Sequence, residues 1–438
     1  MRHARLPYGA GSTPDTWDIV PLRYLATLTN GYVFNSADRS DEGTPIIRIE
    51  NLNGSPHFNR STLSLSDKYR VEAGDLLFSW SGNPGTSFGP YLWTEPGKHY
   101  LNQHIFKVGV HGCDPRWLYW ALKAATHWIE RQLTSGMIGM VHVTKEDLAG
   151  VPIPVPPVEA QRRIADHLDA ETGRIDTLDR VLRRELDLLA ERRSTGVVAA
   201  VSGSPHGDRR TSTLAWLDTV PADWPEVRLG LLARMGSGHT PSRSHPEWWT
   251  DCTIPWITTG EVKQVRDDRV EDLYETREQI SELGLANSAA ELHPKGTVFL
   301  CRTASAGYSG VMGLDMATSQ DFVTWTCGPR LVPHYLLWCL RAMRPDLLGR
   351  LAMGSTHKTI YVPDLQMLRV PLPPVEEQER IVKEIRRQNT RFDALTDRVR
   401  RQQELLRERR QALITAAVTG QFDVSTAGGR HVTEGVSV

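Results

Sequence analysis

The sequence predicts an α+β fold built twice, with two mixed globular regions that alternate with two long helices. Three observations carry this. Residues 147–203 align without gaps to residues 364–420, with 24 identities in 57 positions. Each of these segments is free of proline for some forty residues and carries an apolar residue every seventh position. The remaining sequence consists of short β-branched and aromatic runs broken by Gly, Pro and Asn, the pattern of irregular strands. A repeat period near 217 residues is far too long for a solenoid and indicates duplicated domains.

Taken in order, residues 1–13 read as a flexible N-terminal tail and 14–153 as a first globular region. Residues 154–203 form a first helical spacer, 204–217 a solvated linker, and 218–370 a second globular region. Residues 371–420 form a second helical spacer and 421–438 a flexible C-terminal tail. Within the globular regions Ile46–Ile49, Leu76–Trp80, Ile105–Val110, Ile254–Thr258, Val298–Cys301 and Phe322–Trp325 read as strands. Residues Pro115–Leu133 and Pro333–Arg344 read as helices. Trp17 and Trp224 stand at matched entry positions and read as core.

The two spacers open on Pro156-Pro157 and Pro373-Pro374, which mark an extended entry and a helix start. Leu168, Ile175, Leu182 and Leu189 recur every seven residues, with Ile164 and Leu178 in companion positions. Ile385, Phe392, Val399 and Leu406, with Ile381 and Leu395, repeat the pattern. This is a heptad seam. Two companion positions in each helix are polar, Glu171 and Glu185 against Gln388 and Gln402, and Gly173 weakens the first helix by about 1 kcal/mol.

Composition excludes several classes. With 51 Lys+Arg against 52 Asp+Glu the formal net charge is -1, so binding by bulk positive charge is excluded. No apolar run approaches the roughly 18 residues of a membrane span. The first thirteen residues hold basic groups with no apolar run behind them, unlike a secretory signal. Five cysteines, none as C-x-x-C, read as free thiols in a reducing cytoplasm, without a metal site or a disulfide framework.

Catalytic motifs are missing. There is no P-loop, and the Pro-Pro pairs lack the flanking residues of an adenine-methyltransferase tetrad. Met235-Gly236-Ser237-Gly238 is a lone G-x-G that reads as a tight turn. Glu247, Glu261 and Lys263 form a loose nuclease-like pattern, in which paired carboxylates and a lysine could hold a divalent ion.

The repeat resembles the DNA specificity subunit of type I restriction–modification systems across residues 14–420. Its carriers are the P-x-P-P-x-x-x-Q-x-x-I entries, Pro154 through Ile164 and Pro371 through Ile381. The Gly238-His239-Thr240-Pro241-Ser242 loop, the Trp256-Ile257-Thr258-Thr259 strand and the closing Ala416-Ala417-Val418-Thr419-Gly420 add to them. The resemblance implies two target-recognition domains, each reading one half of a split, asymmetric double-stranded DNA sequence in phage defence. It implies that the two helices pair as an antiparallel coiled coil. It implies two methyltransferase subunits that bring S-adenosylmethionine, restriction translocase/nuclease subunits that join them, and no cofactor, metal or catalytic residue on this chain.

Charge is the awkward point for a DNA reader: 12 Lys/Arg stand against 14 Asp/Glu in residues 15–150, and 14 against 18 in residues 218–364. Such a reader must gather its cations on one face or borrow charge from partners. Base and phosphate readers are sought among polar and basic side chains in loops beside strands, because Arg can fork onto guanine and Asn or Gln onto adenine. In the first region these are Arg48, Asn51, Ser79, Ser81, Asn83, Asn102, Gln103 and His104. In the second they are His239, Thr240, Ser242, Arg243, Arg302, Thr303, Ser305, Tyr308, Gln320, His357 and Lys358. Two other readings stay open: a stand-alone metal-dependent nuclease, and a scaffold that binds proteins rather than DNA.

Overall fold

The computed structural model describes residues 6, 8, 13–132, 141–204, 207–352 and 358–422. Its longer helices are α1 (Pro115–Gln132), α2 (Val158–Val201), α3 (Pro333–Ala342) and α4 (Val375–Val418). The chain divides into two compact units, residues 1–182 with 402–438, and residues 183–401. Each unit therefore holds one globular region, one end of α2 and the opposite end of α4.

In the first unit an antiparallel sheet runs in the order Ala26–Asn30, Ile105–Val110, Leu76–Ser79, Gly89–Leu92. Side chains alternate along a strand. Leu76 and Phe78 thus pack with Trp117, Ala121 and Ala125 of α1, while Leu77 joins Ile47, Val71 and Trp93 beneath the other face. Both faces are covered, which explains why Leu76–Ser79 is buried throughout. A second sheet orders Asn59–Ser61, Thr44–Ile47, His99–Leu101 and Arg70–Val71, with Thr44–Ile47 parallel to His99–Leu101. The strand expected over Ile46–Ile49 thus begins earlier and turns into one helical turn at Ile49–Leu52. Asp18–Pro21 pairs with Pro152–Val155, closing the globular region just before α2.

The second unit repeats this plan. Its five-stranded sheet runs Ala233–Ser237, Phe322–Cys327, Val298–Cys301, Ser309–Met312, Asp272–Leu273. Its smaller sheet runs Glu278–Ile280, Ile254–Ile257, Ala317–Thr318, again with a parallel pair, and Glu226–Arg228 pairs with Arg369–Pro371 before α4. α3 buries Tyr335, Leu336 and Trp338 against Val298, Leu300 and Trp325.

The spacer entries are held by their glutamines. Gln161 Oε1 accepts from the Asp114 amide at 2.8 Å and its Nε2 donates to Pro156 O at 2.8 Å. Gln378 Oε1 accepts from the Val332 amide at 2.8 Å, and its Nε2 donates to Arg330 O and Pro373 O at 2.9 Å. Both side chains are buried, so each ties a long helix to the start of α1 or α3. The helices also end alike. Ser204 N donates to Ala199 O and Gly203 N to Ala200 O, as Gln421 N does to Ala416 O and Gly420 N to Ala417 O. Gly203 (φ 72) and Gly420 (φ 75) take the left-handed position of this C-cap. A Cβ there would lie 2.6 Å from Pro221 Cγ or 2.4 Å from Pro14 Cδ. Trp224 is buried at this junction; Trp17, expected in the core, is half-buried.

Burial along the two long helices differs from the expected seam by a residue. Ile164, Leu168, Ile175, Ile381, Ile385 and Val399 are buried, and Leu182, Leu189, Phe392 and Leu406 are half-buried. Leu178 and Leu395, however, are 52% and 44% exposed, and Glu185 and Gln402 are exposed. The companion positions lie four residues after the heptad residues: buried Thr172, Asn389 and Gln403, and half-buried Asp179, Leu186, Thr396, Arg193 and Arg410. Within the second unit Arg193 binds Asp393 at 2.8 Å. Within the first, Arg410 binds Asp176 and Gln403 Nε2 donates to Asp179 at 3.1 Å. The two ion pairs are one pair, repeated by the duplication. Gly173 leaves α2 unbroken.

Two segments expected to be loose are anchored in part. Tyr8 Oη donates to Pro152 O at 2.5 Å and Leu6 is buried. In 204–217, Arg209–Thr211 pairs with Thr219–Pro221, and Leu214 and Leu217 pack on Val220. Of the expected C-terminal tail, residues 423–438 lie outside the described residues.

Candidate nucleic-acid interface

In each unit a glycine brings the two sheets together and exposes one polar loop. In the first unit the strand Ala26–Asn30 ends at Gly31, where a Cβ would stand 2.1 Å from Asn102 O. Only glycine permits this approach. Tyr32 N then donates to Leu101 O at 2.7 Å, and Asn102 N to Ile47 O at 3.1 Å. In the second unit Gly238 plays the same part, its Cβ position lying 2.0 Å from Thr318 O. His239 N donates to Thr318 O at 3.0 Å, and Ser319 N to Ile257 O at 2.9 Å. The backbone bonds superimpose Asn102-Gln103-His104 on Ser319-Gln320-Asp321, so a glutamine stands at the same place in both units.

Around the first loop Arg48, Asn83, Asn102, Gln103 and His104, all expected as readers, line one polar cleft of about 510 Å³, together with Arg39. Trp80 Nε1 donates to Gln103 O at 3.0 Å, and its ring packs against His104 and Phe106. Gln103 Oε1 and His104 Nδ1 are buried without a hydrogen-bond partner among the described residues. A buried polar atom left so costs roughly 1–3 kcal/mol. Burial, reinforced by the charges of His142 and Arg48, holds the His104 imidazole below its usual range. It is therefore neutral near pH 7 and presents one donor and one acceptor. Arg48 meets Glu50 at 3.0 Å and is partly exposed.

Three expected readers of this unit are occupied by the fold. Asn51 accepts from Arg48 N at 2.9 Å and donates to Ser55 O and His57 O, closing its own loop. Ser79 is buried, with Oγ donating to Ser81 O at 2.9 Å, and Ser81 is buried too. Residue type cannot reveal this, because a loop-closing Asn and a base-reading Asn look alike in sequence.

Around the second loop Thr240 Oγ1 donates to Gln320 Oε1 at 2.6 Å, and Arg302 Nε to Gln320 O at 3.1 Å. Thr303 Oγ1 binds the Asp321 carboxylate, and Ile360 N donates to Arg302 O at 2.8 Å. Ser305 N donates to Thr303 O at 2.6 Å around Ala304, which holds a φ of 56°. His239, Thr240, Arg302, Thr303, Ser305 and Gln320 thus share one edge. Lys358 is exposed, its Nζ on Leu348 O at 3.1 Å. Three candidates are engaged elsewhere. Ser242 O accepts from Trp249 Nε1, and Arg243 lies 4.3 Å over the Trp249 ring and 2.9 Å from Glu278. Tyr308 is flanked by Arg266 at 5.3 Å and Arg344 at 4.7 Å. His357 lies outside the described residues.

Of the nuclease-like pattern, one carboxylate is spent on structure. Glu261 is 2% exposed; its carboxylate accepts from Arg277 N at 2.9 Å and from Gln264 Nε2 at 2.5 Å. Glu247 faces His245 at 3.0 Å, and Lys263 is exposed. No group of three or more His, Cys, Asp or Glu suited to a metal is found among the described residues. All five cysteines are free, and burial pushes the thiols of Cys113, Cys301, Cys327 and Cys339 up to about 12, so these are poor nucleophiles. No described helix is long and apolar enough to cross a membrane.

Sequence reasoning missed the roles of Gln161, Gln378, Gly31 and Arg39. For the two glutamines a signal was present: each stands at the same place in both spacers.

Comparison with known proteins agrees with the duplicated plan. The model of the type I restriction modification DNA specificity domain matches residues 14–183 and 221–404. The type I restriction enzyme EcoBI specificity subunit of Escherichia coli is 23% identical over 432 residues, covering 94% of this chain and 88% of that protein. A chain from the solved assembly and conformational transition of the type I R-M system aligns with a TM-score of 0.70 at 20% identity, over 94% of this chain and 99% of that one. The HsdS subunit from Thermoanaerobacter tengcongensis aligns with a TM-score of 0.53 at 20% identity, over the same shares. With two matched copies of the domain spanning most of its length, this chain belongs to the type I restriction–modification DNA specificity family and is a specificity subunit of that kind.

Proposed function

We propose that each unit reads one half of a bipartite, asymmetric double-stranded DNA sequence through its glycine-backed polar loop. The observation that carries this is the loop itself, built twice on the same backbone bonds with different side chains: Asn102-Gln103-His104 in one unit, Ser319-Gln320-Asp321 in the other. Gln103 and Gln320 are the central readers, suited to adenine edges, with Arg48 and Arg302 beside them suited to guanine; a good bidentate contact discriminates by about 1–3 kcal/mol. Gln103 and His104 are half-buried and line the polar cleft, where a base edge would meet them.

α2 and α4 act as an antiparallel coiled coil that sets the gap between half-sites. Supporting this, in each unit the partner index on α4 falls as the index on α2 rises: Asp176 meets Arg410 while Asp179 meets Gln403, and Arg193 meets Asp393 while Gly196 lies against Gln388. The chain performs no chemistry. It works where the DNA is, in the cytoplasm, and positions two methyltransferase subunits, which supply S-adenosylmethionine, with restriction subunits joining them. Exposed leucines recur at repeat-related positions, Leu178 with Leu395 and Leu188 with Leu405, as two copies of one partner would require.

The test is co-expression with the methyltransferase encoded beside it, followed by genome-wide sequencing of methylated adenines. Two short half-sites around a fixed gap are expected. Gln103→Ala should relax one half-site and Gln320→Ala the other. A stable complex without new methylation would favour the protein scaffold, and both variants relaxing the same half-site would refute the one-unit, one-half-site reading.

A further inference from the structure

The two most exposed large apolar side chains among the described residues are Leu231, at 71%, and Tyr24, at 67%. They occupy the same place in the two units. Each ends a 3-10 turn, Leu22–Tyr24 or Leu229–Leu231. In each turn the first leucine is fully buried, with its amide donating to Val151 O at 2.9 Å or Leu368 O at 2.8 Å. The third residue points out. The globular regions share little sequence, yet both leave a large apolar group mostly exposed at this place.

The surroundings match in charge. The Arg23 guanidinium lies 5.2 Å over the Tyr24 ring. Arg330 Nη2 donates to Leu231 O at 3.4 Å, and Arg228 reaches the sulfur of Met367, itself 59% exposed, at 2.9 Å. Arg23, Arg228 and Arg330 are exposed and form no ion pair among the described residues. The turn also lies away from the polar loop. In each unit it precedes a five-residue strand, about 17 Å long, whose far end carries Gly31 or Gly238. It abuts the strand that enters the long helix.

We propose that Tyr24 and Leu231 are two equivalent anchors, each seated in an apolar socket rimmed by carboxylates on a methyltransferase subunit, one subunit per anchor. This rests on the proposed function. Position argues for a protein over DNA, since the turn and the base-reading loop occupy opposite ends of the strand. Equivalence argues for two copies of one partner.

The experiment uses the full chain with its neighbouring methyltransferase, with stoichiometry read by light scattering and affinity by titration. Tyr24→Glu, Leu231→Glu, the double variant and Arg23→Glu are compared, with circular dichroism confirming folding. The wild type should bind two methyltransferases. Each Glu variant at an anchor should lose one site, weakened about tenfold or more as for a central interface anchor, and the double variant should lose both. Arg23→Glu should weaken the same site as Tyr24→Glu. Two copies bound within about threefold of wild-type affinity by every variant would overturn the proposal. So would variants that bind two copies and lose DNA. A wild type that binds no methyltransferase would overturn the functional reading, and this surface with it.

Discussion

Replacing Gln378 by methionine keeps the shape of a fully buried side chain and deletes three hydrogen bonds. The Val332 amide is then left without its acceptor at the start of α3, and Pro373 O without its donor at the start of α4. Arg330 O sits in an exposed loop and can turn to water. One orphaned buried donor costs about 1–3 kcal/mol and one orphaned acceptor somewhat less, so the junction should weaken by about 3 kcal/mol. Global denaturation is a poor probe, because two compact units need not unfold as one. Hydrogen exchange at the Val332 amide and the first turn of α3 reads the junction directly. At 1.36 kcal/mol per decade, exchange there should accelerate by about 150-fold, while the start of α1 stays unchanged. Gln161→Met should reverse the pattern, freeing the Asp114 amide and leaving α3 alone. Acceleration below about threefold would show that the glutamine holds nothing, and the shared motif would need another explanation.

Gly238→Ala should shift the second polar loop, because its Cβ would sit 2.0 Å from Thr318 O; a loss of about 1–3 kcal/mol in that unit's melting is expected, and, on the proposed function, one half-site lost from the methylation pattern. Arg410→Met should cost little, about 0.5 kcal/mol, since its pair with Asp176 is partly exposed; a double-mutant cycle with Asp176→Asn measures the coupling, and a value near zero would deny the pair any part in register. Burial holds the His293 imidazole below its ordinary range. The folded chain therefore resists a proton that the unfolded chain accepts near pH 6.5. Stability is full above that pH and falls as pH drops below it. His293→Gln should flatten the fall in melting temperature between pH 7 and pH 5; an unchanged slope would place the effect elsewhere.

The long helices were legible because their signals are local: a proline pair before, a glycine after, a heptad between. The companion positions of the seam were not. Leu178 and Leu395 drew the pattern to the third residue after each heptad position, whereas the buried neighbours at the fourth include Thr172, Asn389 and Gln403. A hydrophobic period cannot register buried helix positions whose side chains are polar. Strands such as Ala26–Asn30 and Ala233–Ser237 escaped for a similar reason, since their half-polar runs look like loop until a partner strand is known. Among the candidate readers, the loops were identifiable but their occupancy was not: Asn51 and Asn83 are the same residue type beside the same sheets, and only contacts separate a loop closure from a cleft wall.

The duplication separates what holds the chain together from what it is proposed to read. Gln161 with Gln378, Gly203 with Gly420, and Arg193 with Arg410 are identical between halves and lie in the helices or at their ends. The proposed readers hang from backbone bonds instead: Gln103 and Gln320 are placed by the amides and carbonyls of their neighbours and by one glycine each. Backbone bonds are indifferent to the side chains between them. A change from Asn102-Gln103-His104 to Ser319-Gln320-Asp321 therefore leaves the loop geometry intact while replacing two of its three polar groups. Stability resides in the shared helix residues, while the proposed readers keep a common glutamine and differ at the positions flanking it. On this plan a half-site can change without weakening the helix entries, and the expected split holds in reverse: Gln378→Met should loosen the junction in the second unit and leave the identity of the recognised bases untouched.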